Sequence, residues 1–390
     1  MQTLDTIHTD VAIVGAGPSG AWAAYCLARA GARVTIVDGS HPREKPCGGG
    51  VTGRALALVA GAVDIARLPV CRIRSARFTD SERGRAVAIP LDDEALVVAS
   101  RAEFDGMLLG AARQAGATLV NSRALDVTRT AQGFLVDTGA GPVAARLLIG
   151  ADGANSLVRR RLARPFARAD LSIATGYFAH GASSDEIVIE MSANPPGYIW
   201  SFPRPGHLAV GICAQADGGA TAGELRARTG AWLRELALAP GARLEPYSWP
   251  IPSLTAAGFG SLTTSGPGWF LAGDAAGLVD PITREGIYFA LLSGEWAAEA
   301  AASSNRRSQA RYGERIRDEI AADLARAARY KAGFFRPRFT RLLIDALRES
   351  AGIRAVMVDL VAGRRPYSSL KWALLRTLEA GLAWRLISST

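Results

Sequence analysis

The sequence predicts an α/β protein with a mostly parallel sheet, an inserted and mostly antiparallel sheet, and a helical C-terminal region. Near the N-terminus, the apolar segment VAIVGAGPSG precedes an Ala-rich helical stretch and a second apolar segment, RVTIVD. Short apolar strands flanking a helix are typical of parallel strands buried on both faces and joined by a right-handed crossover. Stretches of β type with Pro and Gly turns occupy residues 70–99 and 171–261, and helical patterning follows residue 306.

The order of these elements predicts three parts of the chain. After the first β–α–β unit, residues 101–115 have a helical pattern, and residues 118–120 and 146–150 are strand-like. The nucleotide-binding domain is predicted to be discontinuous, at residues 1–66, 96–165 and 262–305. The inserted sheet, which we expect to bind substrate, is predicted at residues 67–95 and 166–261. The helical region is predicted at residues 306–390, with helical segments at 308–332, 341–361 and 368–387.

Composition excludes several classes of protein. Of the 390 residues, 49% are hydrophobic and 21% charged, which is typical of a globular chain and excludes disordered and collagen-like classes. Four scattered cysteines have no metal-binding spacing, so we predict a reducing compartment and no metal. The N-terminus has no apolar signal segment, and no apolar run is long enough to cross a membrane. We therefore expect a cytoplasmic protein.

The net charge of +9 comes from the C-terminal end of the chain. From residue 306 onwards there are 18 basic and 8 acidic residues, whereas the preceding residues carry 27 and 28. A basic end suggests an anionic partner such as a membrane surface, a nucleic acid or a phosphorylated substrate. The alternative is that Arg is simply the preferred solubilising residue of this chain.

A glycine-rich turn between the first strand and helix predicts a dinucleotide site. Three glycines form GxGxxG: the first permits a tight turn, the second lets a pyrophosphate approach, and the third lets the helix pack closely. Asp38 ends the second strand, where an acid binds ribose hydroxyls and disfavours a 2′-phosphate. The first domain is therefore predicted to be Rossmann-like and to bind FAD or NAD. The predicted contacts of the turn are Gly15, Ala16, Gly17, Pro18, Ser19 and Gly20.

A second motif starts at residue 268 and reads GWFLAGDAAGLVDPITREGI. An apolar strand ends at Gly273-Asp274, and a loop with Pro281 leads to a helix that starts near residue 285. Asp274 is expected to accept a hydrogen bond from a ribityl chain. The helix start would place N–H groups near a flavin, where negative charge gathers on reduction. The predicted cofactor contacts here are Gly273, Asp274, Pro281, Arg284, Gly286 and Ile287.

Together these motifs resemble the flavoprotein group with the para-hydroxybenzoate hydroxylase fold. Arg101 begins RAEFD, which is similar to the RxxFD helix start of that group, whose Arg meets the FAD. Asp152 lies in LLIGADGANS, which is similar to its DG motif, although a purely structural turn is the alternative. The resemblance implies FAD as the cofactor and extends its contacts to Leu125.

Within that group, the sequence resembles the geranylgeranyl reductase family over nearly the whole chain. The matching motifs are PCGGGV at residues 46–51, the segment Gly197–Pro203 with its YxWxF pattern, and the ending GRRPYSSLKWALL. Three consecutive glycines let the backbone lie flat against a ring system. Cys47, Gly48 and Gly49 are therefore predicted to contact the flavin, and Cys47 is also predicted to be catalytic, as a proton donor.

The resemblance implies an FAD-dependent oxidoreductase that reduces C=C bonds of an isoprenoid in lipid metabolism. Tyr198, Trp200 and Phe202 alternate on a strand and so share one face, where they would line a tunnel for a prenyl chain. The alternatives are that they form ordinary core, and that the enzyme is a monooxygenase hydroxylating or epoxidising a small apolar or aromatic metabolite. Because no second nucleotide motif is found, we expect either transient NAD(P)H or a protein electron donor.

The motifs also reduce the number of possible partners for the basic C-terminal region. Nucleic acid is no longer expected, because nothing in the sequence resembles a nucleic-acid-binding fold. Residues 368–387 place leucines four residues apart, with tryptophans and basic residues around them. That pattern favours either packing on the core or peripheral contact with a membrane, from which an enzyme acting on apolar lipids would collect its substrate. The leucines are Leu370, Leu374, Leu378, Leu382 and Leu386.

Overall fold

The computed structural model describes residues 5–80, 85–91, 96–303, 306–377 and 380–387. In chain order the strands of these ranges are β1 (Ile7–Val14), β2 (Val34–Val37), β3 (Gly50–Thr52), β4 (Val70–Cys71), β5 (Ser75–Asp80), β6 (Arg85–Pro90), β7 (Leu96–Ala99), β8 (Thr118–Val120), β9 (Ala124–Thr130), β10 (Gly133–Thr138), β11 (Val143–Gly150), β12 (Leu171–His180), β13 (Glu186–Ala193), β14 (Pro196–Arg204), β15 (His207–Gln215), β16 (Arg243–Pro252), β17 (Ser265–Gly266) and β18 (Trp269–Leu271).

The α-helices alternate with these strands in the first half and then follow one another. They are α1 (Pro18–Arg29), α2 (Gly53–Val59), α3 (Arg101–Gln114), α4 (Leu157–Leu162), α5 (Ala222–Glu235), α6 (Ala256–Gly260), α7 (Ile287–Ala302), α8 (Arg306–Arg315), α9 (Ala322–Phe334), α10 (Pro337–Glu349), α11 (Ala351–Val361), α12 (Tyr367–Leu375) and α13 (Ala380–Ile387).

The first sheet is parallel at its centre, as the sequence predicts. In the described ranges its strand order is β17–β18–β11–β1–β2–β8, and β1, β2, β8, β11 and β18 run parallel where they pair. All four residues of β2 are buried, as expected for a parallel strand that is covered on both faces. The carboxyl ends of β1, β2, β11 and β18 therefore meet at one edge, where ligands bind in open α/β sheets.

The second sheet is mostly antiparallel and lies across that edge. Its strand order, for the residues described, is β16–β12–β15–β14–β13–β5–β6, and β13 and β5 form its parallel pair. The register of β14 pairs Tyr198 with Cys213, Trp200 with Gly211 and Phe202 with Ala209 of β15. Successive side chains of a strand point to opposite faces, so these three aromatic rings share one face.

A small sheet connects the two large ones. Strand β7 pairs with β3 and β4 and leads directly into α3, so it joins the loop after Cys47 to the first domain. The predicted domain boundaries remain a prediction, whereas the α/β fold, the mostly antiparallel second sheet and the C-terminal helices are confirmed.

The C-terminal region is helical, but its helices are shorter than two of the predicted segments. The segment predicted at 341–361 is two helices, because Ser350 has extended backbone angles and its side chain caps α11 by accepting from Ile353 N. The segment predicted at 368–387 is α12 and α13. The segment at 308–332 is α8 and α9, joined by a π-helical turn at Ile316–Ala321.

Part of the leucine pattern of the C-terminus packs on the core. Leu374 and Leu386 are buried in an apolar cluster with residues of α10 and with Val87 of β6, and Leu370 packs against it. Leu378 and the side chain of Leu382 lie outside the described residues. No helix of the described chain is long and apolar enough to cross a membrane.

Candidate cofactor and substrate cavity

One cavity of about 990 Å³ lies where the carboxyl edge of the first sheet faces the second sheet. Most of the residues predicted for the site line it: Gly15, Gly17, Pro18, Ser19, Asp38, Cys47, Gly48, Gly49, Arg101, Leu125, Asp152, Tyr198, Trp200, Phe202, Asp274, Arg284, Gly286 and Ile287. The predicted residues that do not line it are Ala16, Gly20, Gly273 and Pro281, each of which is within two positions of a lining residue in the sequence. Residues as far apart in sequence as Gly15 and Ile287 thus surround one space.

The glycine-rich loop has two glycines packed against protein and one that faces the cavity. A Cβ on Gly15 would lie 2.3 Å from Ala151 O, and one on Gly20 would lie 1.9 Å from Gly15 O. At Gly17 the nearest atom to a Cβ would be Nε2 of His41, at 3.6 Å across the cavity. Gly17 also precedes α1, whose first N–H groups have no side-chain cap and are available to an anion.

Asp38 is held as an anion at the end of β2. Its carboxylate accepts hydrogen bonds from the backbone N–H groups of Ala16, Ser40 and His41, and its Oδ2 lies 2.8 Å from Nδ1 of His41. Burial alone would raise the pKa of Asp38, but these hydrogen bonds and the His41 charge hold it well below its usual value. His41, to which the sequence assigns no role, is therefore part of the site.

Arg101 lies at the start of α3 and is buried against the acid one turn later. Its Nε and Nη2 donate to the two carboxylate oxygens of Asp105, at 2.9 and 2.7 Å. Despite the cost of burial, this pair raises the pKa of Arg101 above its usual value. The guanidinium is thus a fixed positive charge in the cavity wall.

Asp152 lines the cavity but also caps a helix. Its side chain accepts from Ser156 Oγ at 2.5 Å and from the N–H groups of Leu157 and Val158 at 2.6 and 3.2 Å. Burial raises its pKa, against the effect of those hydrogen bonds. The structural role that the sequence left open for Asp152 is therefore present, next to the cavity.

Asp274 is paired with a lysine that the sequence did not single out. Nζ of Lys45 lies 2.9 Å from Oδ2 of Asp274. The ion pair joins the loop after β18 to the PCGGG loop, and both residues line the cavity. Lys45 immediately precedes PCGGG in sequence, which is the signal that could have drawn attention to it.

The PCGGG loop lies against an aromatic ring of β14. A Cβ on Gly48 would lie 3.0 Å from the ring of Phe202, and Gly49 has a φ of +85°. Gly49 N donates to Sγ of the half-buried Cys47 at 3.3 Å. The loop therefore requires glycine at both positions, because a side chain at Gly48 would meet the ring and one at Gly49 would be strained.

A buried arginine holds this loop from behind. Arg204, whose side chain is 0% exposed, pairs with Glu44 and donates to the carbonyl groups of Lys45, Cys47 and Gly48. Sequence reasoning missed both partners. Only their positions in the sequence could have indicated a role in the site: Glu44 lies two residues before PCGGG, and Arg204 follows the YxWxF segment.

The aromatic strand forms the apolar wall of the cavity. The rings of Tyr198 and Trp200 lie 5.7 Å apart, and the Tyr198 hydroxyl donates to Thr283 O at 3.2 Å. Trp249 of β16 joins the same wall. Nε1 of Trp200 and Nε1 of Trp249 are buried and have no acceptor among the described residues. The wall is thus apolar, with N–H donors that a bound molecule can use.

These residues fit FAD. Gly17 leaves room for a pyrophosphate at the start of α1, ionised Asp38 suits ribose hydroxyls, and the orphaned Trp N–H groups suit the acceptors of a ring system. The fold and cavity therefore define the class, an FAD-dependent oxidoreductase. A family model described as an FAD binding domain matches residues 8–180.

Comparison with known proteins identifies the family. The chain is 30% identical to a menaquinone reductase of Mycolicibacterium smegmatis, in an alignment of 409 residues that covers 97% of this chain and 98% of the relative. It is 32% identical over 310 residues to a geranylgeranyl diphosphate reductase of Rhodobacter capsulatus, covering 75% of this chain and 74% of that one. The chain belongs to the geranylgeranyl reductase family of FAD-dependent oxidoreductases.

A solved structure has the same fold. A geranylgeranyl bacteriochlorophyll reductase-like protein from Thermoplasma acidophilum superposes with a TM-score of 0.80 at 24% identity, covering 95% of this chain and 99% of that one. At this identity the likeness concerns the fold, and it includes both sheets and the C-terminal helices.

Proposed function

We propose that this enzyme reduces carbon–carbon double bonds in the prenyl chain of an isoprenoid substrate. The observation that carries the proposal is the single cavity, in which the dinucleotide-binding loop, the PCGGG loop and the aromatic face of β14 surround one space. The names of the two relatives, a menaquinone reductase and a geranylgeranyl diphosphate reductase, are consistent with a prenylated substrate.

The aromatic wall would position the substrate. An isolated alkene is a poor hydride acceptor, so its placement next to the cofactor must supply much of the rate enhancement. Tyr198, Trp200, Phe202 and Trp249 offer continuous apolar contact to a chain, at about 0.8 kcal/mol for each CH₂ group buried. FAD, when bound and reduced, supplies the hydride chemistry. The residues of the wall hold the double bond and exclude water from it.

Cys47 is the proposed proton donor. Its thiol lines the cavity and is fixed by the hydrogen bond from Gly49 N and by the contacts of Arg204 with the carbonyls of the loop. A thiol held at one position can protonate the second carbon of the double bond as the first receives the hydride. The proposed cofactor contacts are the lining residues that the sequence predicts for FAD, except Arg284, with His41 and Lys45 added.

Two partners complete the proposal. The reductant of the flavin is either NAD(P)H, bound transiently near the cavity, or an electron-carrier protein. Anaerobic mixing of the holoenzyme with NADH, NADPH and reduced ferredoxin, followed by flavin absorbance, distinguishes these donors. The second partner is a membrane surface, contacted peripherally through the basic C-terminal helices, from which the apolar substrate would be collected.

The decisive experiment is anaerobic turnover. Photoreduced holoenzyme is incubated anaerobically with prenyl diphosphates, prenylated quinones and prenylated ether lipids. The masses of the products are then measured by mass spectrometry. We expect a gain of two mass units for each double bond reduced, together with reoxidation of the flavin; oxidised holoenzyme is the control. No mass gain with any lipid, combined with oxygen-dependent turnover of a smaller molecule, would replace this proposal with monooxygenation.

A further inference from the structure

Two cations from distant parts of the chain meet at one hydroxyl oxygen, Oγ of Ser253, beside the cavity. Arg284 Nη1 donates to Ser253 Oγ at 2.6 Å, and Lys331 Nζ donates to the same oxygen at 2.7 Å. Lys331 also donates to Gln215 Oε1 at 2.7 Å, and Ser253 Oγ donates to it at 3.1 Å. Arg284 lines the cavity, and Ser253 is 1% exposed.

Neither cation has an acidic partner. Among the residues that the structure describes, no carboxylate lies within ion-pairing distance of Arg284 or Lys331, and both use the neutral acceptors just named. Nε of Arg284 is buried and has no acceptor in the described chain. Four other cations around this cavity are neutralised by carboxylates: Lys45 by Asp274, Arg54 by Glu285, Arg101 by Asp105 and Arg204 by Glu44. The lining residues Arg43, Arg123 and Arg160 have no carboxylate within ion-pairing distance in the described chain either, so the shared acceptor is what distinguishes Arg284 and Lys331.

The arrangement keeps two basic side chains close together without a carboxylate partner in the described chain. Burial and, to a smaller extent, the charge of Arg284 together lower the pKa of Lys331 to about 7, against opposing effects of Cys213 and Asp217. Arg284 also has a φ of +63°, a left-handed conformation that is uncommon for a long side chain. Backbone strain at a lining residue, together with two basic side chains that share one acceptor beside the cavity, points to a functional site.

We infer that Arg284 and Lys331 form a cationic subsite for a phosphate-type anion on the substrate, an inference that rests on the proposed function. An Arg fork and a Lys point charge together suit the several oxygens of a phosphate or diphosphate. The subsite adjoins the aromatic wall, because Tyr198 donates to Thr283 O, next to Arg284. A prenyl chain along that wall would therefore have its anionic head at the Tyr198 end.

Binding measurements separate the head group from the chain. Holoenzyme is titrated calorimetrically with geranylgeranyl diphosphate, a geranylgeranylated glycerophospholipid, inorganic diphosphate and the neutral alcohol geranylgeraniol. The variants are Arg284→Gly and Lys331→Met. Arg329→Met, which removes an exposed positive charge from the same helix as Lys331, is the matched control.

We expect each variant to weaken binding of the phosphorylated ligands about tenfold or more, which is 1.4 kcal/mol, with geranylgeraniol changed less than twofold. The two lipids distinguish a terminal diphosphate from a phosphodiester as the source of the anion. Equal losses for alcohol and diphosphate, or unchanged diphosphate binding in both variants, would overturn the subsite. Diphosphate binding that depends on Arg284 and Lys331, without reduction of any prenyl compound, would overturn the proposed function and leave the subsite standing.

Discussion

At the scale of single residues, Cys47 is the side chain on which the proposed chemistry depends most. A positioned general acid contributes roughly 10²- to 10⁴-fold to a rate. We therefore expect Cys47→Ala to slow single-turnover reduction of a prenyl substrate by about that factor, with FAD still bound. The rate is measured as anaerobic flavin reoxidation. Cys71→Ala removes another half-buried free thiol and is the control. An undiminished rate in Cys47→Ala would assign the proton to water or to another group.

Arg204 fixes the conformation of the loop that carries Cys47. Replacing Arg204 with Met removes the donor to Oε2 of Glu44 and to three backbone carbonyls, although Oε1 of Glu44 still accepts from Ser100 and Ala102. Breaking one side of a buried ion pair costs about 3–5 kcal/mol, so we expect a large loss in the free energy of unfolding. The loosened loop should also let a thiol reagent modify Cys47 faster, a readout that separates positioning from general stability.

A double-mutant cycle and an exposed pair complete the test of Arg204. Adding Glu44→Gln to Arg204→Met should recover part of the loss, because it removes the unpaired charge. Arg33→Met breaks the ion pair of Arg33 with Asp10, where the Arg side chain is 71% exposed, and should lower the free energy of unfolding far less than Arg204→Met. Equal losses for Arg33→Met and Arg204→Met would contradict the assigned role.

The sequence predicts residues whose role is local and misses those whose role depends on tertiary contact. The glycine-rich loop and PCGGG follow from steric rules that act within a few residues, and most of their residues line the cavity. Arg204 and Lys331 make their contacts only through the packing of β14 and α9, and the one sequence signal is the position of Arg204 after the YxWxF segment. Arg284 was noticed in the sequence, but its partner Lys331 lies 47 positions away.

At the scale of elements, the start of α12 is tied to the loop that leads into α7. The Tyr367 hydroxyl donates to both carboxylate oxygens of Asp280, at 3.1 and 2.9 Å, and Asp280 also accepts from Ile282 N and Thr283 N. Asp280 is buried, which raises its pKa against the effect of these donors. This contact connects the C-terminal helices to the segment that carries Arg284 and Gly286.

Tyr367→Phe tests that connection. Leaving a buried acceptor without one donor costs about 1–3 kcal/mol, so we expect a loss of that size in the free energy of unfolding and faster dissociation of FAD. Tyr330→Phe is the control, because its ring packs near Tyr367 but its hydroxyl makes no hydrogen bond among the described residues. If both variants release FAD at the wild-type rate, the C-terminal helices do not support the cofactor loop.

The outer face of the C-terminal helices is the proposed membrane contact. Trp372 of α12 and Trp384 of α13 are 69% and 62% exposed, and the basic residues Lys371 and Arg376 are exposed beside them. Exposed Trp near basic side chains is typical of interfacial helices. We expect salt-sensitive binding to anionic liposomes that falls severalfold in the double variant Trp372→Ala, Trp384→Ala.

The control for membrane contact is Leu244→Ala, an exposed apolar residue of β16. Point substitutions are better than deletion of the C-terminus, because deletion would remove Leu374 and Leu386 from the core. Liposome binding that is indifferent to salt, or equal in the double variant and the wild type, would remove the membrane from the proposal. The spacing of the leucines did not predict which face of these helices packs on the core and which faces outward. Leucines four residues apart are as suitable for core packing as for a membrane interface.

At the scale of the whole molecule, the cavity is built from segments far apart in the chain. The sequence predicted the order of the parts because buried parallel strands, antiparallel strands and helices have different patterns of apolar residues. It did not predict how closely the second sheet lies on the first, since that distance is set by Phe202 against Gly48 and by Arg204 behind the loop. The two sheets, joined in this way, would both be stabilised by a ligand that spans the cavity.

Gly17 offers a test of that coupling, because a side chain there would enter the cavity without meeting protein. The nearest atom to its Cβ would be 3.6 Å away, and Ala in place of Gly at a helix N-cap costs no more than about 1 kcal/mol. We therefore expect Gly17→Ala to melt like the wild type when FAD is removed. With FAD at a thousand times its Kd, the wild type should gain about 4 kcal/mol in both sheets together, and Gly17→Ala much less.

The measurement is a thermal melt with and without added FAD, followed by near-ultraviolet circular dichroism. The tryptophans Trp200 and Trp249 report on the second sheet, and Trp22 reports on the first. Gly110→Ala, where a Cβ meets nothing within 4 Å, controls for the substitution itself. Because residues of both sheets line the cavity, one cooperative transition should move as a whole. A shift confined to the signal of the first sheet would show that the second sheet does not close on the cofactor, and the aromatic wall would then be too far away to position an alkene beside it.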